Sequence, residues 1–446
     1  MESALGQVLD LPLLLEQLQA EDGAVRLVLL LFPFFILLEL PLTLVVMLGV
    51  LRWWVRELSL PPRQSLYRPR VSCVITCYSE GLDVQRTLRS LCEQTYSGEI
   101  ELIPVVDGAA ANQRTLEAVR GFHLDPVLYP KRKLRPIAKW QRGGRVSSLN
   151  AGLSMSTGEI IMALDGDTSF DNTMVAAMVR HFEDPNVPAV AGSLRVRNTW
   201  TSLATAIQAI EYLISIQMAK IGLSEWNVVN NISGAFGAFR RSIIQQIGGW
   251  DTHSAEDLDI TLRIKSYFGR HRKLRIPFEP KAIGHTDSPT SFQGLLQQRL
   301  RWDGDLLFLY ARKHSGSLTP RLMGWPNFLM TIITGLFVQV VLPFIIVGYT
   351  VVSLITLPAV TVLALSVLVY AVYLVVIALQ FLLMLLMVSE RPKQDLRLIP
   401  LLPIFPLAMF LIRCWSAVAI LNEWLRRGHE ESSMAPWWVL RRATRF

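Results

Sequence analysis

Three short clusters in this sequence carry side chains that could do chemistry. Asp165-Gly166-Asp167 sets two carboxylates one glycine apart. Hard divalent ions take oxygen ligands, and such a pair could hold an ion that bridges a diphosphate and neutralises a departing nucleotide. The same residues also read as a plain turn with capping aspartates. Ser254-Ala255-Glu256-Asp257 precedes the apolar-periodic stretch LDITLRI. Locally this is a capping box, with Ser254 as N-cap and Asp257 at the third helical position. A helix start also favours an ionised carboxylate, so Asp257 could serve as a general base toward a hydroxyl. In Gln298-Arg299-Leu300-Arg301-Trp302, positions 298, 301 and 302 share one helical face. An amide, a guanidinium and an indole side by side suit a pyrophosphate and a sugar ring. The alternative is an amphipathic helix on a membrane surface, with Arg and Trp at the headgroups.

The elements that must position these groups alternate in type. From Val71, VSCVITC reads as a buried strand, DVQRTLRSLCEQT as an amphipathic helix, IELIPVV as a strand and QRTLEAVRGF as a helix. VSSLNAGLSMS then reads as a helix and EIIMALD as a strand. Such alternation predicts an α/β domain, a mostly parallel, Rossmann-like sheet with helices on both faces. Ligands of these sheets bind at the carboxyl ends of the strands. Glu80 follows the first strand, Asp107 the second, and Asp165 and Asp167 the third. Four carboxylates therefore converge on one sheet edge.

Of the 446 residues 51% are hydrophobic and 18% charged. That is too apolar for an ordinary soluble enzyme and too charged for a pure membrane bundle, so a soluble domain flanked by membrane segments is expected. Residues 27–51 form an apolar run long enough to span a bilayer and too long for a signal-peptide core. Acidic Glu2, Asp10, Glu16, Glu21 and Asp22 precede it, and Trp53, Trp54, Arg52, Arg56, Arg63, Arg68 and Arg70 close or follow it. The positive-inside rule then predicts an outside N-terminus and a cytosolic central domain, as in a bacterial-type inner membrane protein. Three more apolar runs cover residues 331–355, 360–388 and 398–419, with a basic cytosolic loop at 390–397. Three crossings would put the basic tail, Arg426 to Arg445, outside against the rule, so the number of crossings stays open. Glu39 and Arg413 stand at membrane depth and must be paired or face something polar. The expected layout is an N-terminal membrane segment (1–62), a catalytic domain (63–290), interface helices (291–325), a membrane region (326–425) and a basic tail (426–446).

The net charge of +8 suits nucleotide phosphates and lipid headgroups; no nucleic-acid module is present. Cys73, Cys77, Cys92 and Cys414 show no zinc spacing and read as free thiols.

Taken in order, Asp107, the DGD pair, Glu256-Asp257 and QRLRW make a D, D, D, QxxRW pattern. With its flanking membrane runs, the chain resembles the processive family-2 glycosyltransferases, the synthases of cellulose, hyaluronan, chitin oligosaccharides and poly-N-acetylglucosamine. The resemblance covers roughly residues 71–302 and implies a GT-A fold, a UDP-sugar donor, a growing glycan as acceptor and a Mg²⁺ or Mn²⁺ cofactor. It places Thr76, Tyr78, Glu80 and Asp107 at the nucleoside and Arg145, Asp165, Gln298 and Arg301 at the phosphates. Asp165 and Asp167 would hold the metal and Asp257 would be the base. Ser233, Gly234, Glu256 and Trp302 would meet the acceptor. Such an enzyme inverts the anomeric centre, polymerises and exports its product with possible accessory subunits. The alternative is a single transfer onto a ceramide or polyprenyl-phosphate lipid. Ser79 replaces the family's usual Asn, Gly108 and Ala109 its usual Asp and Ser, Arg145 its usual Lys and Ala255 its usual Thr. The long C-terminal regulatory domain of cellulose synthases has no counterpart in the sequence.

Overall fold

The computed structural model describes residues 38–60, 65–252 and 255–427. The acidic leader, residues 27–37 of the first apolar run, Arg63, Ser254 and the basic tail after Arg427 lie outside those residues.

The strands are β1 (Val71–Cys77), β2 (Ile100–Asp107), β3 (Arg132–Leu134), β4 (Ile137–Lys139), β5 (Ile160–Asp165), β6 (Ser169–Phe170), β7 (Ala189–Val196), β8 (Phe236–Arg240) and β9 (Phe278–Thr286). They form one sheet in the order β3-β2-β1-β5-β8-β7-β9-β6, with β4 also pairing β2. β1 runs parallel to β2 and β5, whereas β8 enters antiparallel between β5 and β7. Every residue of β1, β2 and β7 is buried. This is why β1 and β2 read as largely apolar runs: strands within the parallel part of a sheet are covered on both faces. Each fully buried Ile or Leu among them contributes on the order of 1.5–3 kcal/mol.

The helix Gly144–Met155 lies across β1 so closely that a Cβ on Gly152 would meet Val74 Cγ1 at 2.2 Å. Register sets Thr76 beside Asp165 and Asp107 beside Lys139. The carboxyl ends of β1, β2 and β5 therefore open together, as the alternating pattern predicts.

Among the described residues, three helices are long and apolar enough to cross a membrane: Trp325–Thr356, Ala359–Val388 and Phe405–Arg426. The third starts later than its apolar run because Leu396–Leu401 forms a separate tight turn of helix carrying Pro400. The helix Leu40–Ser59 packs on Ala219–Glu225 through glycines, where a Cβ on Gly49 would meet the Gly222 carbonyl at 2.4 Å. Arg56 meets Glu225 at 2.6 Å beside that contact. The helix Phe292–Leu307, which holds QRLRW, lies along Phe405–Arg426. Trp415 Nε1 donates to the Leu296 carbonyl at 2.8 Å and Ser416 Oγ to Asp303 at 2.6 Å.

The two polar groups at membrane depth are satisfied within the protein. Glu39 accepts from the Tyr373 hydroxyl, and Arg413 donates to the Val338 carbonyl at 2.6 Å. The four cysteines are free thiols, three of them buried.

Candidate active site

The DGD turn is built by close approach. A Cβ on Gly166 would meet the Thr76 carbonyl at 2.9 Å and the Glu80 carboxyl carbon at 3.2 Å, so only glycine lets β5 leave beside β1. Asp165 accepts from Thr76 Oγ1 at 3.2 Å and from Arg145. Asp167 is exposed and accepts from Thr168 Oγ1 at 3.2 Å.

Glu80 sits behind this turn. One carboxyl oxygen accepts from the Tyr78 backbone at 2.7 Å; the other is buried without a partner among the described residues. Burial, with a smaller contribution from the Asp167 charge, pushes its carboxyl up to about 7. Exposed Tyr78 carries the Arg142 guanidinium 4.2 Å from its ring centre, a flat surface on which a base could stack.

Asp107 is buried and its oxygens are engaged. It accepts from Lys139 Nζ at 2.6 Å and from the backbone of Gly143 and Gly144 at 2.9 and 2.8 Å. It thus grips the amino end of the helix Gly144–Met155, a favourable seat for a carboxylate, and fixes where Arg145 begins. Arg145 donates to Thr76 Oγ1 at 3.0 Å, the Gly234 carbonyl at 2.6 Å and Glu256 at 2.5 Å, besides Asp165. One side chain therefore joins the DGD strand, the Ser233-Gly234 turn and the helix Glu256–Lys265.

That helix starts at Glu256, and Ala255 occupies the N-cap at φ +45° with no side-chain cap. Asp257 is thus its second residue rather than its third, and no capping box forms among the described residues. Asp257 Oδ2 accepts from the Gly234 backbone and Asn231 Nδ2, both at 3.1 Å. Its Oδ1 accepts from the Leu258 backbone at 2.7 Å. Burial first, and then the Glu256 charge, raise its carboxyl above the ordinary range, while backbone donors and Lys220 pull it down. A carboxylate raised toward neutrality is suited to accept a proton.

In the helix Phe292–Leu307 the expected face forms, but a residue not singled out in advance takes part. Arg299 lies over the half-exposed Trp302 ring at 4.9 Å, and it pairs with Glu211 at 2.5 Å. Gln298 Oε1 is buried without a partner among the described residues, and Arg301 is half-buried. The continuation of this segment reaches the helix Glu256–Lys265: His314 and Lys313 meet Asp259 at 2.8 and 2.9 Å. Lys139, Asn231, Lys220 and Glu211 likewise carry no motif in the sequence. Only Arg299, three residues before Trp302, had a spacing that could have pointed to it. His285 turns away to Asp171 at 2.9 Å.

No three acidic, His or Cys side chains among the described residues are gathered so as to enclose a metal ion alone. Asp165 and Asp167 nevertheless supply hard oxygens at one turn, and Glu80 keeps an orphaned oxygen beside Gly166. This donor set fits a divalent ion that completes its shell from a diphosphate and water.

The profile of the glycosyltransferase-like family 2 matches residues 69–304, the span that carries every site residue expected from the sequence. The chain belongs to glycosyltransferase family 2. Among relatives, the poly-beta-1,6-N-acetyl-D-glucosamine synthase of Staphylococcus epidermidis is 31% identical over 234 residues, 52% of this chain and 53% of that protein. The synthase of the same name from Staphylococcus aureus strain COL is 30% identical over 233 residues, again 52% and 53%. The chain spans about half the length of the curated relatives it matches. Among solved structures, a mannosyltransferase from Pyrobaculum calidifontis, in complex with GDP-Man and Mn²⁺, superposes with a TM-score of 0.53 at 19% identity. It covers 86% of this chain and 97% of its own and shares the GT-A fold. This family-2 enzyme is thus a transferase related to poly-N-acetylglucosamine synthases, with three helices among the described residues apolar enough to span a membrane.

Proposed function

We propose that this family-2 enzyme moves a sugar from a UDP-sugar onto the hydroxyl of a growing glycan, with inversion, and repeats the step to build a β-linked polymer. The observation that carries the reading is the seat of Asp257, half-buried at a helix start and held by Gly234 and Asn231. There its carboxylate takes the proton of the attacking hydroxyl. The Tyr78–Arg142 surface stacks the uracil, Glu80 and Thr76 line the nucleoside, and Asp107 sets the helix that presents Arg145. Arg145 and Arg301 oppose the charge that develops on the leaving diphosphate. Asp165 and Asp167 would hold a Mg²⁺ or Mn²⁺ ion, which when bound neutralises that diphosphate. Ser233, Gly234 and Glu256 face the acceptor, and Trp302 offers its ring to the acceptor sugar.

The names of the relatives support N-acetylglucosamine as the sugar. Support for a polymer rests on them and on Trp302, because Glu39 and Arg413 are satisfied inside the helices. The same reading places the catalytic domain in the cytosol and the N-terminus outside, and sends the product toward the membrane helices. The test is to incubate the purified chain with UDP-N-acetylglucosamine and Mg²⁺ or Mn²⁺, with and without excess EDTA, and size the product. Products many sugars long that vanish with EDTA are expected. One sugar on a lipid, with no polymer from any donor, would replace polymerisation by single transfer; full activity in EDTA would remove the metal.

A further inference from the structure

Lys220, in the helix Ala219–Glu225, is 3% exposed. Its Nζ donates to Ser233 Oγ at 2.8 Å. A buried ammonium is costly, and it persists where an opposite charge repays its lost hydration. Here that charge is Asp257: burial pushes Lys220 down to about 8, and Asp257 acts against that fall. The influence is mutual, since Lys220 is among the groups that lower Asp257. The other charged or titratable groups facing Asp257 are Glu256 on its own helix and Tyr310 from the interface segment, with Arg145 across Glu256. Glu256 opposes ionisation of Asp257, so Lys220 is the cation that counters it from behind the Ser233-Gly234 turn.

The hydrogen bond also has a direction. An ammonium can only donate, so Ser233 Oγ accepts and its own proton is free to point elsewhere. The next backbone group, Gly234 N–H, already holds Asp257. Lys220 therefore touches both ends of a short relay, one through the hydroxyl and one through charge.

We propose that Lys220 is a positioning residue for the acceptor side of the reaction, its ammonium aiming the Ser233 hydroxyl outward and keeping Asp257 ionised for proton removal. The inference rests on Asp257 being the base. Methionine matches the length of lysine and suits a buried site, so Lys220→Met should fold. Without the ammonium only the Gly234 and Leu258 backbone donors counter burial and the Glu256 charge, and the acid limb of kcat/KM moves up by about one pH unit, about a tenfold extra loss on its lower side.

The experiment compares pH profiles of the full-length wild type, Lys220→Met, Lys220→Arg and Ser233→Ala with UDP-N-acetylglucosamine as donor. The limb should move up in Lys220→Met and stay in place in Lys220→Arg. In Ser233→Ala the rate should fall with the limb unmoved, because the charge remains. The infrared carboxyl band that disappears in Asp257→Asn, titrated in wild type and in Lys220→Met, reads the same shift without turnover. A limb and band that stay put in Lys220→Met, or a limb that moves equally in Lys220→Arg, would overturn the inference. Should Asp257→Asn keep full turnover while the band still shifts in Lys220→Met, the base reading fails and the coupling of Lys220 to Asp257 stands.

Discussion

Arg145 donates its Nε to Glu256 at 2.5 Å while its other nitrogens hold Asp165, Thr76 and the Gly234 carbonyl. Asp165 ends β5, and Glu256 opens a helix ninety residues later. The donor half and the acceptor half of the candidate site therefore meet on one guanidinium. The resemblance leads one to expect a lysine at this position, and an ammonium could not reach all four partners in one plane.

Arg145→Ala should consequently damage the fold as well as the chemistry. Arg145 and Glu256 side chains are 10% and 9% exposed, so removal leaves a buried, unpaired carboxylate. The expected cost is about 3 kcal/mol, read as a lowered thermal midpoint in detergent. Arg145→Ala together with Glu256→Gln should recover part of that loss. A single variant with an unchanged midpoint would mean that the cluster contributes nothing to stability.

Ser79 sits in left-handed backbone at φ +73°, between Tyr78 and Glu80 at the end of β1. A side chain other than Asn, Asp or Gly is strained there. Ser79→Asn should stabilise the protein by roughly 0.5–1 kcal/mol and leave the Glu80 bond to the Tyr78 backbone intact. A thermal midpoint that falls in this variant would contradict the strain.

Lys265 is buried at the end of the helix Glu256–Lys265, and its Nζ has no hydrogen-bond partner among the described residues. Burial alone pushes its ammonium down to about 7, against an unfolded value of about 10.4. Between those values the unfolded chain binds the extra proton, so stability rises with pH across that window. Lys265→Met removes the group, should stabilise the protein at pH 7 by at least ~1 kcal/mol, and should flatten the rise. Midpoints measured at pH 7 and pH 9 decide this: the gain must be larger at pH 7. Equal effects at both values would show that Lys265 stays charged when folded.

The sequence shows some of this more readily than the rest. β1, β2 and β5 are legible because strands covered on both faces are apolar without interruption, and DGD and Asp107 are legible because they close such strands. The antiparallel β8 is not. It inserts between β5 and β7 from more than seventy residues downstream of β5, and no local pattern announces such a pairing. The partners of Asp257 inherit that difficulty. Asn231 and Gly234 precede β8, and Lys220 lies on a helix earlier still, so their meeting is a product of topology rather than of spacing. The start of the helix at Ala255 shows a local rule losing to the site: SAED reads as a capping box, yet the left-handed turn at Ala255 aims Asp257 at Gly234. Arg299 illustrates a smaller loss, because the motif points to Arg301, and the burial of Arg299 against Glu211 comes from a helix far away in the sequence.

Asp257 remains the residue on which the catalytic reading turns. Asp257→Asn keeps the shape of the side chain and the bonds to one oxygen while removing the capacity to take a proton. The most direct measurement pairs turnover of UDP-N-acetylglucosamine with UDP binding by calorimetry, both on Asp257→Asn in detergent. Turnover should fall at least ~10²-fold with UDP affinity unchanged, since a base touches the acceptor rather than the donor. Near-normal turnover in that variant, with UDP still bound, would contradict the assignment of Asp257 as the base.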